Sequence, residues 1–356
     1  MALKINLKNI QITKFDPLTC SRNDWFRFHE FRKKRHMEKN PDDPISDDES
    51  FEKALQANVQ FTEVEINISI INDISTDKQI GEIVYAKFLE TSASYEGTKH
   101  LVQFELEILE EYRRKGIGRY AMKLIYDYAN ENGKKVLVTT SDEDDGRAFL
   151  KKMGAIEALA GVENRLDLET VDWIMVENWV KDGSNRSPSS TLEFHYSIPE
   201  EIIEEYCKAY TETMNQQPLG ELDVGAIIMS PESYRQQEKM FFDMGRIWIT
   251  AFTKEQNSKI SGLTEMRYNP SRESMISQVL TGVQEEYRGR GLGKWLKASM
   301  LLKIREEYPQ VKIVTTGNAN SNAPMLSINN RLGFKVHKES INAQITIEQL
   351  AEFLSL

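Results

Sequence analysis

The chain has 356 residues, with 45 Lys and Arg against 55 Asp and Glu, a formal net charge of −10. An acidic chain without a long basic tract lacks the cationic footprint that phosphate binding draws on, which excludes a nucleic-acid partner. With 40% hydrophobic and 9% aromatic residues it is neither disordered nor fibrous, and its length predicts about two domains at roughly 100–200 residues each.

No apolar run approaches the ~18–20 residues of a membrane span, so no membrane partner is expected. The start, MALKINLKNIQITKF, alternates apolar and charged residues and reads as a strand rather than a signal peptide, which points to a cytoplasmic protein. Cys20 and Cys207 stand far apart, and the five histidines show no ligand spacing, so neither a disulfide framework nor a metal site is expected. FRKKRH at residues 31–36 reads as a helix with a solvated basic face, and Asp42, Asp43, Asp47, Asp48 and Glu49 as helix caps or loop. The 13 methionines are spread along the chain, as core-filling residues are.

From Leu101 to Ile108 the alternation is clean: Val102, Phe104, Leu106 and Ile108 face one way, Gln103, Glu105 and Glu107 the other. A strand is predicted there, and a solvated face for Glu105 and Glu107. A helix follows Gly118, with Ala121, Leu124, Ile125 and Tyr128 on one stripe and a stop at Asn132-Gly133. Residues 135–140 (KVLVTT) are a buried strand, residues 171–181 a short helix, and the Gly/Ser/Pro-rich stretch 182–190 a flexible linker. The pattern restarts with a strand at residues 191–198. After Gly293, Trp295, Ala298 and Leu302 mark a helix that Pro309 ends, and residues 311–316 (VKIVTT) are again a buried strand.

The chain is an internal repeat. EEYRRKGIG, starting at Glu110, and EEYRGRGLG, starting at Glu285, share six of nine positions at an offset of 175. Thr139-Thr140 returns as Thr315-Thr316, and Gly154 of KKMGA as Gly333 of NRLGF, at offsets of 176 and 179. This is a duplicated domain, with the division placed at residues 183–190: an N-terminal domain over 1–182 and a C-terminal one over 191–356. Each half reads as mixed α/β.

A strand, a glycine-rich turn and a helix start form an anion site, because unpaired N–H groups at the helix N-terminus point at the ligand. The dinucleotide fingerprint would need Gly at Ala121 and Leu296; the second fails. The Walker loop would need Gly at Arg288 and Ser or Thr at Trp295, and fails too. What remains is R-x-x-G-x-G. Arg113-Arg114-Lys115-Gly116-Ile117-Gly118 and Arg288-Gly289-Arg290-Gly291-Leu292-Gly293 resemble the pyrophosphate loop of the GNAT superfamily of acetyl-CoA-dependent N-acetyltransferases. Ile108-Leu109-Glu110-Glu111-Tyr112 and Val283-Gln284-Glu285-Glu286-Tyr287 are similar to the strand and turn before that loop, and Asn318, Asn322 and Leu332-Gly333-Phe334 to the family's last helix and its ending.

The resemblance implies two tandem GNAT-like acyl-CoA N-acyltransferase domains, each a mixed central sheet flanked by helices. It implies that loop N–H groups, with Lys294 following the second loop, hold the pyrophosphate of acetyl-CoA. The pantetheine arm would lie along the strand ending at Ile108 or Val283, a backbone N–H there would polarise the thioester carbonyl, and Asn322 would bond the pantetheine or adenylate end. The reaction is direct attack by a primary amine of a small-molecule or peptide acceptor, with a base for the ammonium and an acid for the thiolate.

The family's usual acid is a Tyr four residues before the closing Gly. Asn329 stands there in the second half and Leu150 in the first. Glu265 is the candidate base, with Thr281 and Gln278 orienting a water. In the first half Ser141-Asp142-Glu143-Asp144-Asp145 places four acids beside a polyanionic cofactor, so the C-terminal domain is expected to be catalytic and the N-terminal one degenerate. Two further readings stay open: a CoA-binding sensor or scaffold without turnover, and a transferase of a longer acyl chain. Residues 23–53 and 200–237, which would line the acceptor pocket, follow no motif tied to a substrate.

Overall fold

The computed structural model describes residues 7–356, so the opening six residues of the expected first strand lie outside it. In chain order the elements are β1 (Ile10–Lys14), α1 (Arg22–Lys39), α2 (Asp48–Val59), β2 (Val64–Asp73), β3 (Lys78–Phe88), α3 (Tyr95–Thr98), β4 (Leu101–Ile108), α4 (Ile117–Glu131), β5 (Val136–Ser141), α5 (Asp144–Met153) and β6 (Ile156–Asp167). Then come α6 (Trp173–Arg186), β7 (Thr191–His195), α7 (Ile203–Asn215), α8 (Pro231–Asp243), β8 (Ile247–Lys254), β9 (Ile260–Tyr268), β10 (Met275–Val283), α9 (Leu292–Glu307), β11 (Ile313–Ala319), α10 (Ala323–Leu332), β12 (Lys335–Thr346) and α11 (Ile347–Leu354). Among the described residues no helix is long and apolar enough to cross a membrane.

Two compact units are present, and they do not coincide with the two halves of the repeat. The first runs up to Leu159 and takes in Glu221–Gly225 and Ile341–Leu356; the second comprises Ala160–Gly220 and Ala226–Ser340. In the first unit the strands follow the order β1-β2-β3-β4-β5-β12, and in the second β6-β11-β10-β9-β8-β7. Each half thus closes the other's sheet: Ile341 to Thr346 of β12 pair antiparallel with Ser141 to Val136 of β5, and Gly161 to Asp167 of β6 with Ala319 to Ile313 of β11. The terminal helix travels with its strand. Leu350 of α11 is buried in the cluster of Ile117, Ala121 and Ile125 from α4, and Val176 and Trp179 of α6 in the cluster of Leu296, Met300 and Ile304 from α9.

This moves the boundary expected at 183–190 into β6. Asp182 to Arg186 are the last residues of α6, and Gly183 is a packing glycine rather than a linker one, since a Cβ there would lie 2.4 Å from Trp295 Cβ. Gly183→Ala should therefore cost about 1–3 kcal/mol through overpacking, read as a drop of several degrees in the thermal midpoint. An unchanged midpoint would show that α6 can slide on α9.

The basic face of α1 is solvated only in part: Lys33 and Lys34 are exposed as expected, whereas Arg32 is half-buried and Arg35 buried. Arg32 and Lys33 pair with Asp48 at 2.7 and 2.8 Å, Lys34 with Glu111, and buried Arg35 with Glu143 and Glu107. The acidic stretch does cap a helix: Asp47 accepts from Ser50 N–H at 2.8 Å at the start of α2. Cys20 and Cys207 are free thiols.

Candidate functional site

The same strand–turn–helix is built twice. Leu109 and Gln284 enter short 3-10 turns, Glu110–Tyr112 and Glu285–Tyr287, and the next arginine folds back to hold the turn: Arg113 Nε donates to Ile108 O at 2.9 Å, Arg288 Nε to Val283 O at 3.2 Å. The first arginine of R-x-x-G-x-G is thereby a loop clamp. Gly116 (φ +85°) and Gly291 (φ +84°) then N-cap α4 and α9 in the left-handed region, and neither helix start has a side-chain cap. The first-turn N–H groups are left to meet an anion. The position two residues earlier is also left-handed, as Gly289 in one loop and as Arg114 in the other.

Beside each loop the sheet opens. The parallel ladder of β4 on β5 covers only Leu101–Gln103 against Val136–Val138, and that of β10 on β11 only Met275–Ser277 against Ile313–Thr315. Beyond these residues β4 and β10 leave their partners, so each has backbone edge free for an extended ligand. In the first unit this cleft is a cavity of about 340 Å³ with Leu106, Ile108 and Phe149 as apolar walls and Gly116 and Gly118 at the helix start. Arg119 and Lys152 line it too.

Three of the four acids of the first unit do not stand as free charges. Asp142 pairs with Lys39 at 3.0 Å, Glu143 with Arg113 at 3.2 Å and with Arg35, and Asp145 with Arg114 at 2.6 Å. The side chains of Glu143 and Asp145 are held below their ordinary titration range, Glu143 against the opposing pull of its own burial and Asp145 chiefly by Arg114. Glu107 pairs with Arg35 and Lys39, whereas Glu105 stays exposed beside Glu107. Glu82 on β3 is half-buried between these two; loss of solvent, then their repulsion, pushes it up to about 8.

The second unit differs at its centre. β3 and β4 keep one register throughout, but β10 carries a bulge against β9: Gln278 faces Met266 and Thr281 faces Thr264, so Val279 and Leu280 together oppose the single residue Glu265. A bulge takes backbone groups out of the ladder and turns them aside. Thr281 and Gln278 share the other face of the sheet from Glu265, both bonding the Thr264 hydroxyl at 2.7 and 3.0 Å, and Gln278 Oε1 is buried without a hydrogen bond.

Glu265 is fully buried. Tyr206 of α7 donates to its Oε1 at 2.5 Å, while its Oε2 and the nearby Trp248 indole N–H lack a hydrogen bond of good geometry. Burial pushes the carboxyl up to about 7, with Arg267 opposing the rise. The phenols of Tyr206, Tyr210 and Tyr234 around it are all raised by burial.

Asn329 is also sealed. Its Oδ1 accepts from Lys297 Nζ, and its Nδ2 donates to Asn318 Oδ1 at 2.7 Å, which Asn164 joins at 3.3 Å. Lys297 was not anticipated, though a lysine one turn beyond Gly293 on an apolar stripe is the visible sign. It is 1% exposed, makes no ion pair among the described residues, and burial lowers its amine to about 7.

Other predicted cofactor residues serve the scaffold. Asn322 Oδ1 caps α10 by accepting from Met325 N–H at 3.3 Å. The Gln284 side chain bonds Ala209 O at 2.8 Å, Glu285 O accepts from Arg288 N–H, and Leu292 is buried. Arg290 holds Glu255 at 3.0 and 3.2 Å and Ser190 at 2.6 Å. Lys115 folds onto Glu111 O, and Ile117 and Gly118 open the first turn of α4. Lys294 lies over the Trp179 ring, 5.5 Å from its centre.

Paired glycine loops, each at the mouth of a splayed parallel strand pair, give this α/β chain two copies of one anion-binding arrangement. Residues 30–155 match the model of the Acetyltransferase (GNAT) family, and the chain as a whole shares its fold with a solved tandem GNAT protein. A tandem GNAT protein from the clavulanic acid biosynthesis pathway aligns over 95% of this chain and 98% of its own at 17% identity, TM-score 0.73. A GCN5-related N-acetyltransferase from Sphaerobacter thermophilus does so over 95% and 96% at 10% identity, TM-score 0.63. Saccharomyces cerevisiae N-myristoyltransferase, solved with myristoyl-CoA, aligns over 96% and 81% at 10% identity, TM-score 0.59. No curated protein sequence matches. The family match falls on the half whose acidic segment reads as degenerate.

Proposed function

We propose that the protein transfers an acetyl group from acetyl-CoA to a primary amine of a small-molecule or peptide acceptor, with the chemistry in the second unit. The bulge of β10 opposite Glu265 carries this reading. Acetyl-CoA would supply an acyl group activated as a thioester. The uncapped first turn of α9 holds its pyrophosphate, the open edge of β10 runs beside its pantetheine arm, and a bulge N–H freed from the ladder polarises the carbonyl. Glu265, whose Oε1 is held by Tyr206 and whose Oε2 has no hydrogen bond, receives the proton of the attacking amine.

The first unit has the loop and the cleft, while β4 lacks a bulge. With Asp142, Glu143 and Asp145 matched by Arg35, Arg113, Arg114 and Lys39, it is read as a second acyl-CoA site without turnover. This is the sensor reading, confined to one unit.

Calorimetric titration of acetyl-CoA into the intact chain tests both. Two binding events are expected, and Gly291→Val, which forces a β-branched residue to φ +84°, should abolish one of them. Unchanged binding in that variant would remove α9 from the site, and no binding to the wild type would remove the acyl-CoA reading altogether. Release of free CoA thiol across a panel of primary amines reads the turnover, with a longer acyl-CoA alongside to compare donors.

A further inference from the structure

On the flank of the α9 start that faces α6, a cavity of about 110 Å³ is lined by Arg186, Lys294 and Arg331, with Asp182 as its one acid and Trp179 and Gly291 as walls. None of the three cations makes an ion pair among the described residues. The Trp179 ring keeps two of them in place: Arg331 lies 4.7 Å and Lys294 5.5 Å from its centre. Lys294 is lowered by burial and then by repulsion from Arg331 and Arg186, so the cluster stands under electrostatic strain that a bound anion relieves.

The first unit repeats the pattern. Arg119 follows the second loop glycine as Lys294 does, Lys152 stands two residues before the closing glycine as Arg331 does, and Arg119 lies 5.4 Å from the ring of Phe353 on the exchanged helix. Lys152, Arg119 and Phe353 all line the cleft cavity of that unit. One cation on the loop helix, one on the next helix and an aromatic ring on the exchanged helix thus recur without sequence identity.

We propose that the cavity formed by Arg186, Lys294 and Arg331 binds the 3′-phosphate of the acyl-CoA donor and so selects CoA over its 3′-dephospho form. The inference rests on the acyl-CoA reading. A terminal phosphate monoester carries a charge of about −1.5 to −2 on three acceptor oxygens, which matches three cations against one carboxylate. The two pyrophosphate groups each carry a single charge and already have the first-turn N–H groups of α9. Arginine forks suit the monoester's oxygens, and Gly291 at the wall lets the ligand pass closely from one subsite to the other.

The test is calorimetry on the full chain with acetyl-CoA and with 3′-dephospho-acetyl-CoA, the second-unit event being the one that Gly291→Val removes. Wild type should bind acetyl-CoA at least tenfold more tightly at that event. The double variant Arg186→Gln, Arg331→Gln should lose this preference by weakening acetyl-CoA alone, with its thermal midpoint checked against wild type. Equal affinity of the wild type for both donors overturns the proposal, as does a preference that survives the double substitution. Equal weakening of both donors assigns the cations to the pyrophosphate and overturns it as well. Failure of either donor to bind at all counts against the acyl-CoA reading itself.

Discussion

Glu265→Gln should lower kcat about 100-fold or more while leaving the affinity for acetyl-CoA unchanged, the usual scale for losing a general base. The rate of the wild type should rise with pH through about 7, where the buried carboxyl gives up its proton, and that limb should vanish in the variant. Stability moves the other way. A carboxyl whose folded pKa is raised contributes its stability in full below the unfolded value of 4.5 and loses it as pH rises through about 7. Gln carries no such penalty and still accepts from Tyr206. The variant should therefore melt several degrees higher than wild type at pH 8, an advantage that closes toward pH 4.5. Full activity with a raised midpoint would leave Glu265 as a merely buried acid.

Lys297→Met is expected to change sign with pH. The amine titrates at about 7 in the folded chain against 10.5 when unfolded, so its stability is present above 10.5 and lost as pH falls toward 7. Below that, a charge that makes no ion pair among the described residues is buried. Met removes the charge but leaves Asn329 Oδ1 without its donor, at about 1–3 kcal/mol. At pH 6 the variant should be the more stable protein, by on the order of 2 kcal/mol, and near pH 10.5 the less stable one. Thermal melts at the two pH values check this; curves that stay parallel would mean that Lys297 keeps its charge through an interaction other than Asn329.

What could be read from the residues alone was local. A glycine-rich turn before a helix and the alternation from Leu101 to Ile108 are each set by a few neighbouring residues, so both are as expected. Pairing partners are another matter. The period of two in β6 and β12 says that a strand exists but not which neighbour completes its ladder, and both pair away from their own half. The bulge leaves almost no trace, because Val279-Leu280 is only a doubled apolar residue in a β-prone run. Arg32 and Arg35 read as solvated since their partners Asp48 and Glu143 come from distant elements. Asn329 and Glu265 were visible as positions, while their seals, Lys297 and Tyr206, depend on tertiary packing.

The exchanged terminal strands govern the order in which the protein can be made. During synthesis the N-terminal half reaches the end of α5 with its sheet lacking the strand that covers β5, and that strand is not delivered until Ile341 to Thr346 have left the ribosome, some two hundred residues later. Vectorial folding, in which the first domain is finished before the second begins, is closed to this chain. The second unit, by contrast, already has Gly161 to Asp167 waiting when β11 emerges, and can be completed first. Chains that end at residue 340 and are held on the ribosome by an added linker long enough to clear the exit tunnel should accordingly protect the second unit from protease and leave β5 open to attack, reversing the usual N-to-C sequence of maturation.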